Sequence, residues 1–349
     1  MVAQDPSHAT PPGRVPWRSL GARGPEVTVL GFGGAPLGDL YAPLDDRTAI
    51  ATVEAALAAG IALVDTSPLY GRGLSEHRIG TALRRRSRSS VVLSTKVGRL
   101  FAAAPRGVRD SEGYAGGLPH EGRFDYSYDG ALRSLEQSLL RLGVASVDIA
   151  LVHDVDPWTH GDAAGARQRE ALGGALRALV DLRAQGLVRA IGIGVNDAEV
   201  CVRFAQEADI DCVLLAGRYS LLEQPALDAF LPLARSRGIG VMLGGVFNSG
   251  ILATGAVPGA RYNYRVAPPD VAGRVAAIER VCAAHAVALP HAALAFVLGH
   301  DSVSSVVLGA VSPDEVGRNV AMLDRPVPPA LWRDLKAERL LRDDAPTPA

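Results

Sequence analysis

Four residues of this sequence could move protons if the fold brought them together: Asp65, Tyr70, Lys96 and His153. Three of them end apolar runs. Asp65 closes "ALVD", Lys96 closes "VVLSTK" and His153 closes "DIALVH", each putting a titratable group where burial would favour another aliphatic side chain. Tyr70 follows Asp65 within "VDTSPLYGRG". A carboxylate, an ammonium, an imidazole and a phenol are donor and acceptor types that general acid–base chemistry draws on. Taken singly, each is more simply a turn cap, a solvated lysine, a hydrogen-bonded histidine or a packed aromatic. They become a site only in a fold that gathers strand ends.

The pattern around them predicts such a fold. Short apolar runs at 27–33, 62–66, 90–96, 147–153, 188–194, 212–217, 239–244 and 304–309 read as strands. They alternate with amphipathic stretches at 129–142, 176–184 and 271–285 that read as helices. Leu132, Leu135, Leu139 and Leu142 recur at helical spacing, and Gly143 stops that helix. Alternating strands and helices imply parallel βαβ units, and eight of them predict a closed (β/α)8 TIM barrel. An open doubly wound sheet fits less well, because "GFGGAPLG" at 31–38 lacks the G-x-G-x-x-G spacing. Two long loops, 97–128 and 248–269, follow strand ends, on the face where a barrel builds its site.

Length and composition agree with one barrel domain over 17–342, preceded by a loose arm at 1–16 and followed by a short flexible tail at 343–349. With Lys+Arg 36 against Asp+Glu 37, the chain has no basic field for nucleic acid or anionic lipid, so small molecules are the expected partners. Nothing in the pattern specifies an oligomeric state. Cys201, Cys212 and Cys282 are far apart and form no C-x-x-C pair, which argues against a disulfide framework or a metal knuckle and fits a reducing, cytoplasmic setting. No apolar run reaches membrane-spanning length, and the proline-rich start lacks the apolar stretch of a signal peptide.

From about Arg18 to Leu340 the sequence resembles the aldo-keto reductase superfamily. The resemblance rests on "VDTSPLYG", "STKVG" and "LVHD", then "GVN" at 194–196, "GRYSLLEQ" at 217–224 and "SVVLGAVSPDEVGRNV" at 305–320. "FDYSYDG", "GRYSLLEQ" and "GGVFNSGILA" are similar to the branch holding aldose 1-dehydrogenases and pyridoxal 4-dehydrogenase. The resemblance implies that Tyr70 transfers the proton, that Lys96 stabilises its phenolate, that Asp65 holds Lys96, and that His153 hydrogen-bonds the substrate oxygen. A tyrosine near pKa 10 is a poor base at neutral pH, which is why a neighbouring cation is needed.

None of these groups can accept a hydride, so the redox chemistry implied needs a cofactor. The resemblance makes it a nicotinamide dinucleotide, with Asn196 on the carboxamide and Tyr219 stacked on the ring. Gly34, Ser220, Leu222, Val246, Phe247 and Asn248 complete the implied contacts, with Asn319 at the adenine. Gly244 to Gly250, with Gly309 after the eighth strand, suits close backbone approach to a pyrophosphate. Between Gly309 and Glu315 there is no cation but two acids, which would repel the 2′-phosphate of NADP; Val311 and Glu315 therefore point to NAD, with NADP possible. Tyr126, Trp158 and Asn248 are the expected substrate contacts, aromatic and polar as a sugar would require. The expected reaction is NAD-dependent oxidation of an aldose at its anomeric C1 to a lactone. Alternatives are pyridoxal oxidation, NADPH-dependent reduction of aldehydes or ketones, and a non-enzymatic barrel that serves as a binding module.

Overall fold

The computed structural model of the protein describes residues 15–105, 107 and 113–348, so most of the expected N-terminal arm and part of the loop 97–128 lie outside the described residues. Among the described residues, eight parallel strands close a barrel. They are β1 (Leu30–Gly33), β2 (Leu63–Asp65), β3 (Val92–Val97), β4 (Ile149–His153), β5 (Ala190–Val195), β6 (Cys212–Ala216), β7 (Gly240–Gly244) and β8 (Val303–Gly309). β8 pairs with β1 through Val306 to Leu30 and Gly309 to Gly33, which closes the ring.

Alternation along these strands builds two layers. Leu63, Ile149, Leu151, Cys212, Leu214, Met242 and Val307 form the barrel interior. Their neighbours Val64, Ala150, Val152, Val213, Val241, Leu243 and Val306 join the larger cluster beneath the helices. Burial on both faces explains why the strands read as continuous apolar runs.

The run 27–33 is not one strand. Glu26–Thr28 pairs antiparallel with Trp17–Ser19, and only Leu30–Gly33 enters the barrel. Thr28 makes the break useful: its hydroxyl donates to the Leu30 carbonyl and accepts from the Ala62 and Leu63 amides. The hairpin sends Leu20 and Val27 into the barrel interior, so it plugs the end opposite the site. Val15 is also fully buried, although it falls in the stretch expected to be a loose arm.

The helix Tyr128–Leu142 follows its sequence signals. Ser127 accepts the Gly130 amide at its start, and Gly143 adopts φ 66° at its end. The expected tail is pinned rather than loose over its described part. Lys96 apart, the other lysine, Lys336, donates to the carbonyls of Asp343 and Ala345, and Ala345 is buried. Both long loops carry structure of their own: a hairpin Arg99–Ala103 with His120–Phe124, and a short pair Arg261–Tyr262 with Arg265–Val266. Among the described residues no single helix is long and apolar enough to cross a membrane, and no cluster of three or more His, Cys, Asp or Glu could hold a metal.

Candidate active site

The ends of β2, β3 and β4 bring the four sequence-predicted residues together. Lys96 is 1% exposed, and its ammonium donates to Asp65 Oδ2 at 2.6 Å, to the Thr66 carbonyl at 2.8 Å and to Tyr70 Oη at 3.0 Å. Ser94 donates to the other oxygen of Asp65 at 2.8 Å, so both carboxylate oxygens are held. β5 leaves room for the lysine because residue 194 is glycine: a Cβ there would sit 3.3 Å from Lys96 Cε.

Tyr70 owes its aim to the turn that follows it. Gly71, Arg72 and Gly73 adopt φ of 62°, 55° and 98°, a left-handed run that reverses the chain at once. Arg72 locks the turn by donating to the Leu118 carbonyl at 2.6 Å and the Gly116 carbonyl at 2.8 Å. The segment so tied carries Tyr114, whose ring centroid lies 6.4 Å from that of Tyr70.

The contact between Lys96 and Tyr70 is present as expected, yet its electrostatic outcome differs. Burial pushes the Tyr70 phenol well above its ordinary value of 10, and the charges of Asp65 and Asp154 add to the rise. Asp65 sits on the same ammonium at 2.6 Å, so the positive charge reaching Tyr70 is largely compensated. Tyr70 is therefore a protonated phenol at neutral pH, a proton donor held beside a cation.

His153 moves the opposite way. Burial, then the positive charges of Lys96 and Arg99, depress its pKa well below 6.5, leaving a neutral imidazole. Ser67 Oγ accepts the Leu69 amide at 3.1 Å and lies 3.0 Å from His153 Nδ1. The carboxylate of Asp154 beside Nε2 favours the tautomer with its proton on Nε2, so that Nδ1 accepts from the Ser67 hydroxyl. Nε2 is 3.4 Å from Asp154 Oδ1, and Asp154 Oδ2 is 3.1 Å from the Arg99 guanidinium.

Tyr70, Lys96 and His153 open onto a cleft of about 660 Å3 that continues into a second space of about 230 Å3. Aromatic side chains line the larger part, Tyr41, Tyr114, Phe124, Trp158 and Tyr264, together with Arg261 and Arg265. Of these only Trp158 was expected. The others belong to the long loops or to the turn after β1, and loop length after a strand end was the only signal for them. Arg99 and Asp154 were missed for a different reason: an arginine and an aspartate beside strand ends carry no pattern of their own.

Two aromatics expected at the cleft stand behind it instead. Tyr126 is fully buried, with its hydroxyl donating to the His153 carbonyl at 2.7 Å and lying 3.0 Å from His160 Nε2, so it supports the histidine from the rear. Tyr219 is fully buried between Phe296 and His300, at centroid distances of 5.2 and 5.4 Å, and its ring cannot stack on anything in the cleft. Gly34 is likewise a packing residue, since a Cβ there would meet Ser75 Oγ at 2.6 Å.

The smaller space is lined by Gly33, Gly217, Gly244, Gly245 and Gly309, by Asn196, Asn248 and Ser249, and also by Tyr41, Trp158, Tyr264 and the cation Arg218. A wall of backbone and short polar side chains at the ends of β6, β7, β8 and β1 is what a dinucleotide requires, because side chains would fill the trough and keep phosphates from the amides. Asn196 lines both spaces, with its amide donating to the buried Asp156 carboxylate at 2.8 Å. Asn248 faces the trough but also ties its walls together, accepting from Ser220 and donating weakly to the Gly217 carbonyl at 3.4 Å. Leu222 and Val246 are buried behind it, Phe247 is half-buried, and Gly250 takes φ 105° in the same turn. Past β8, Glu315 accepts the Val311 amide at 2.9 Å, Arg318 lies 3.9 Å from Glu315, and Asn319 is half-buried.

Fold and site together define a closed parallel barrel with a phenol, an ammonium and an imidazole where an aromatic-walled cleft meets a glycine-lined trough. Residues 29–338 match the Aldo/keto reductase family, and the chain belongs to that family. It is 41% identical over 335 residues to the pyridoxal 4-dehydrogenase of Microbacterium luteolum, spanning 93% of this chain and 97% of that one. It is 37% identical over 334 residues to the D-threo-aldose 1-dehydrogenase of a Pseudomonas species, spanning 94% and 97%. Among solved structures, an aldo-keto reductase from Bacillus halodurans in its holo form superposes with a TM-score of 0.72 at 26% identity, over 94% of this chain and 97% of that one. The chain is accordingly an oxidoreductase that works with a nicotinamide cofactor on small molecules.

Proposed function

We propose that the protein is an NAD-dependent dehydrogenase that oxidises the hydroxyl-bearing carbon of a cyclic hemiacetal, first of all the anomeric C1 of an aldose, to a lactone. The observation that carries this reading is the single wall formed by Lys96, Tyr70 and His153 at the junction of an aromatic cleft and a backbone-lined trough. Asn196, Gly217, Gly244, Gly245, Asn248 and Gly309 would hold the dinucleotide along that trough. When bound, it supplies the acceptor for the hydride leaving C1. His153 Nε2–H binds the reacting oxygen and fixes its direction. Tyr70 Oη takes the hydroxyl proton as the C–O double bond forms, and Lys96, 3.0 Å away, stabilises the phenolate form that must accept it. Because burial favours the phenol, oxidation should quicken as pH rises.

Preference for NAD is supported by the turn after β8, where Asp314 and Glu315 stand at the helix start and Glu315 is fixed by the Val311 amide. Pyridoxal is the second reading, favoured by the aromatic walls and by the relative of 41% identity. It closes into a cyclic hemiacetal as aldoses do, so the same chemistry serves both. The test is a panel of aldoses and pyridoxal with NAD and NADP in parallel, read as absorbance of reduced cofactor. Turnover confined to NADPH and open-chain aldehydes would overturn the reading in favour of a reductase, and no turnover with any pair would leave the binding module.

A further inference from the structure

Asp154 is the residue directly after His153, and on a continuing strand its side chain would face away from the cleft. It does not. Asp154 adopts φ 55°, a left-handed conformation that non-glycine residues avoid, and the reversal brings both side chains onto the wall of the same cleft. The arrangement is pinned from three sides. The Asp154 amide donates to the Gly194 carbonyl at 2.9 Å. Tyr126 Oη donates to the His153 and Asp154 carbonyls at 2.7 and 3.2 Å. The Arg99 guanidinium, packed 4.3 Å over the Phe124 ring, holds Oδ2.

The imidazole Nε2 and the carboxylate Oδ1 lie side by side at 3.4 Å on the cleft wall, longer than an ordinary hydrogen bond between them. Two oxygens on adjacent carbons in a gauche relation match that spacing, one accepting from Nε2–H and the other donating to the carboxylate. We infer that His153 and Asp154 together read a hydroxyl neighbouring the reacting carbon, with Asp154, positioned by Arg99, as the residue that makes the enzyme select such substrates. The inference rests on the proposed chemistry, since His153 must face the reacting oxygen.

The experiment compares kcat/KM for an aldose and its 2-deoxy counterpart with NAD, in wild type, Asp154→Asn and Asp154→Gly. Asparagine and glycine both tolerate the left-handed backbone, so each variant keeps the turn. A hydrogen bond to a charged group gives about a ten- to hundredfold preference for the hydroxylated sugar in wild type, and both variants lose most of it, mainly through KM. A merely structural ion pair would lower activity on both sugars equally, and that result overturns the inference. If wild type oxidises no cyclic hemiacetal, the proposed function fails by itself. The comparison then runs in reduction with NADH on glyceraldehyde against 3-hydroxypropanal. A wild-type preference for glyceraldehyde that Asp154→Asn removes upholds the inference; a preference the variant keeps, or none in wild type in either direction, overturns it.

Discussion

Lys96 Nζ stands 3.0 Å from Tyr70 Oη, and the same ammonium lies 2.6 Å from Asp65 Oδ2. Tyr70→Phe keeps the ring and its 6.4 Å packing on Tyr114 while removing the only proton the phenol can exchange. Turnover should fall by at least about 10²-fold, as when a general acid or base is lost. Cofactor binding, measured by fluorescence titration, should stay close to wild type. Near-normal turnover would remove Tyr70 from the mechanism.

Lys96→Met retains the apolar stem and deletes the charge. Tyr70 is already raised by burial, so losing its cation raises it further, and the fraction of phenolate at a given pH drops tenfold for each unit. Oxidation should therefore be much slower at pH 7, with its rising limb displaced to higher pH in a profile from pH 6 to 11. An unshifted limb would mean that Lys96 does not tune the phenol. Asp65→Asn should also slow turnover, since its single amide oxygen can keep the Lys96 or the Ser94 contact but not both. Yet it should move the limb the other way, to lower pH, because the Asp65 charge adds to the rise of Tyr70.

His153 has a pKa well below 6.5, so it is neutral across the physiological range and becomes charged only as pH falls through its depressed value. The kcat/KM profile should show no acid limb near 6.5. A limb there that disappears in His153→Gln would show an imidazole that titrates normally and would contradict its burial against Lys96 and Arg99.

Tyr126 and Trp158 separate support from contact. Tyr126→Phe leaves the buried His153 carbonyl without its 2.7 Å donor, which costs about 1–3 kcal/mol and should appear as a lower Tm. Trp158, 52% exposed on the cleft wall, should do the reverse: Trp158→Ala raises KM with little change in Tm. The opposite assignment of the two effects would restore Tyr126 to the substrate wall.

The difference between these two aromatics shows what the sequence could express. The barrel was legible because strands buried on both faces leave continuous apolar runs, and Asp65, Lys96 and His153 were legible because they interrupt such runs at their ends. Side-chain direction past a strand end was not. Tyr126 and Tyr219 lie just where cleft residues could lie, and only packing against His160, Phe296 and His300 turns them inward. Asp154 was hidden by the reverse effect, since a single positive φ, invisible in residue type, turned it toward the cleft. Tyr264 and Tyr114 are carried by loops whose course depends on contacts distant in sequence, such as Arg72 to Leu118 and Tyr264 to Ser249.

The proposed preference for NAD turns on the stretch past β8, where Val311 is 41% exposed and its amide donates to Glu315 at 2.9 Å. Val311→Arg with Glu315→Arg places two cations beside the turn and removes one anion, leaving Arg318 without its partner at 3.9 Å. Charge-assisted hydrogen bonds to a phosphate are about twice as strong as neutral ones, so kcat/KM with NADP should rise roughly ten- to a hundredfold, about 1.4 to 2.7 kcal/mol. Losing the Val311 cap loosens the turn for both cofactors, so NAD efficiency should fall modestly, through KM rather than kcat. The comparison needs both cofactors, one saturating substrate, and wild type beside the double variant. A wild type that already prefers NADP would show that the acids at this turn do not govern the choice, and would move the balance towards the reductase reading.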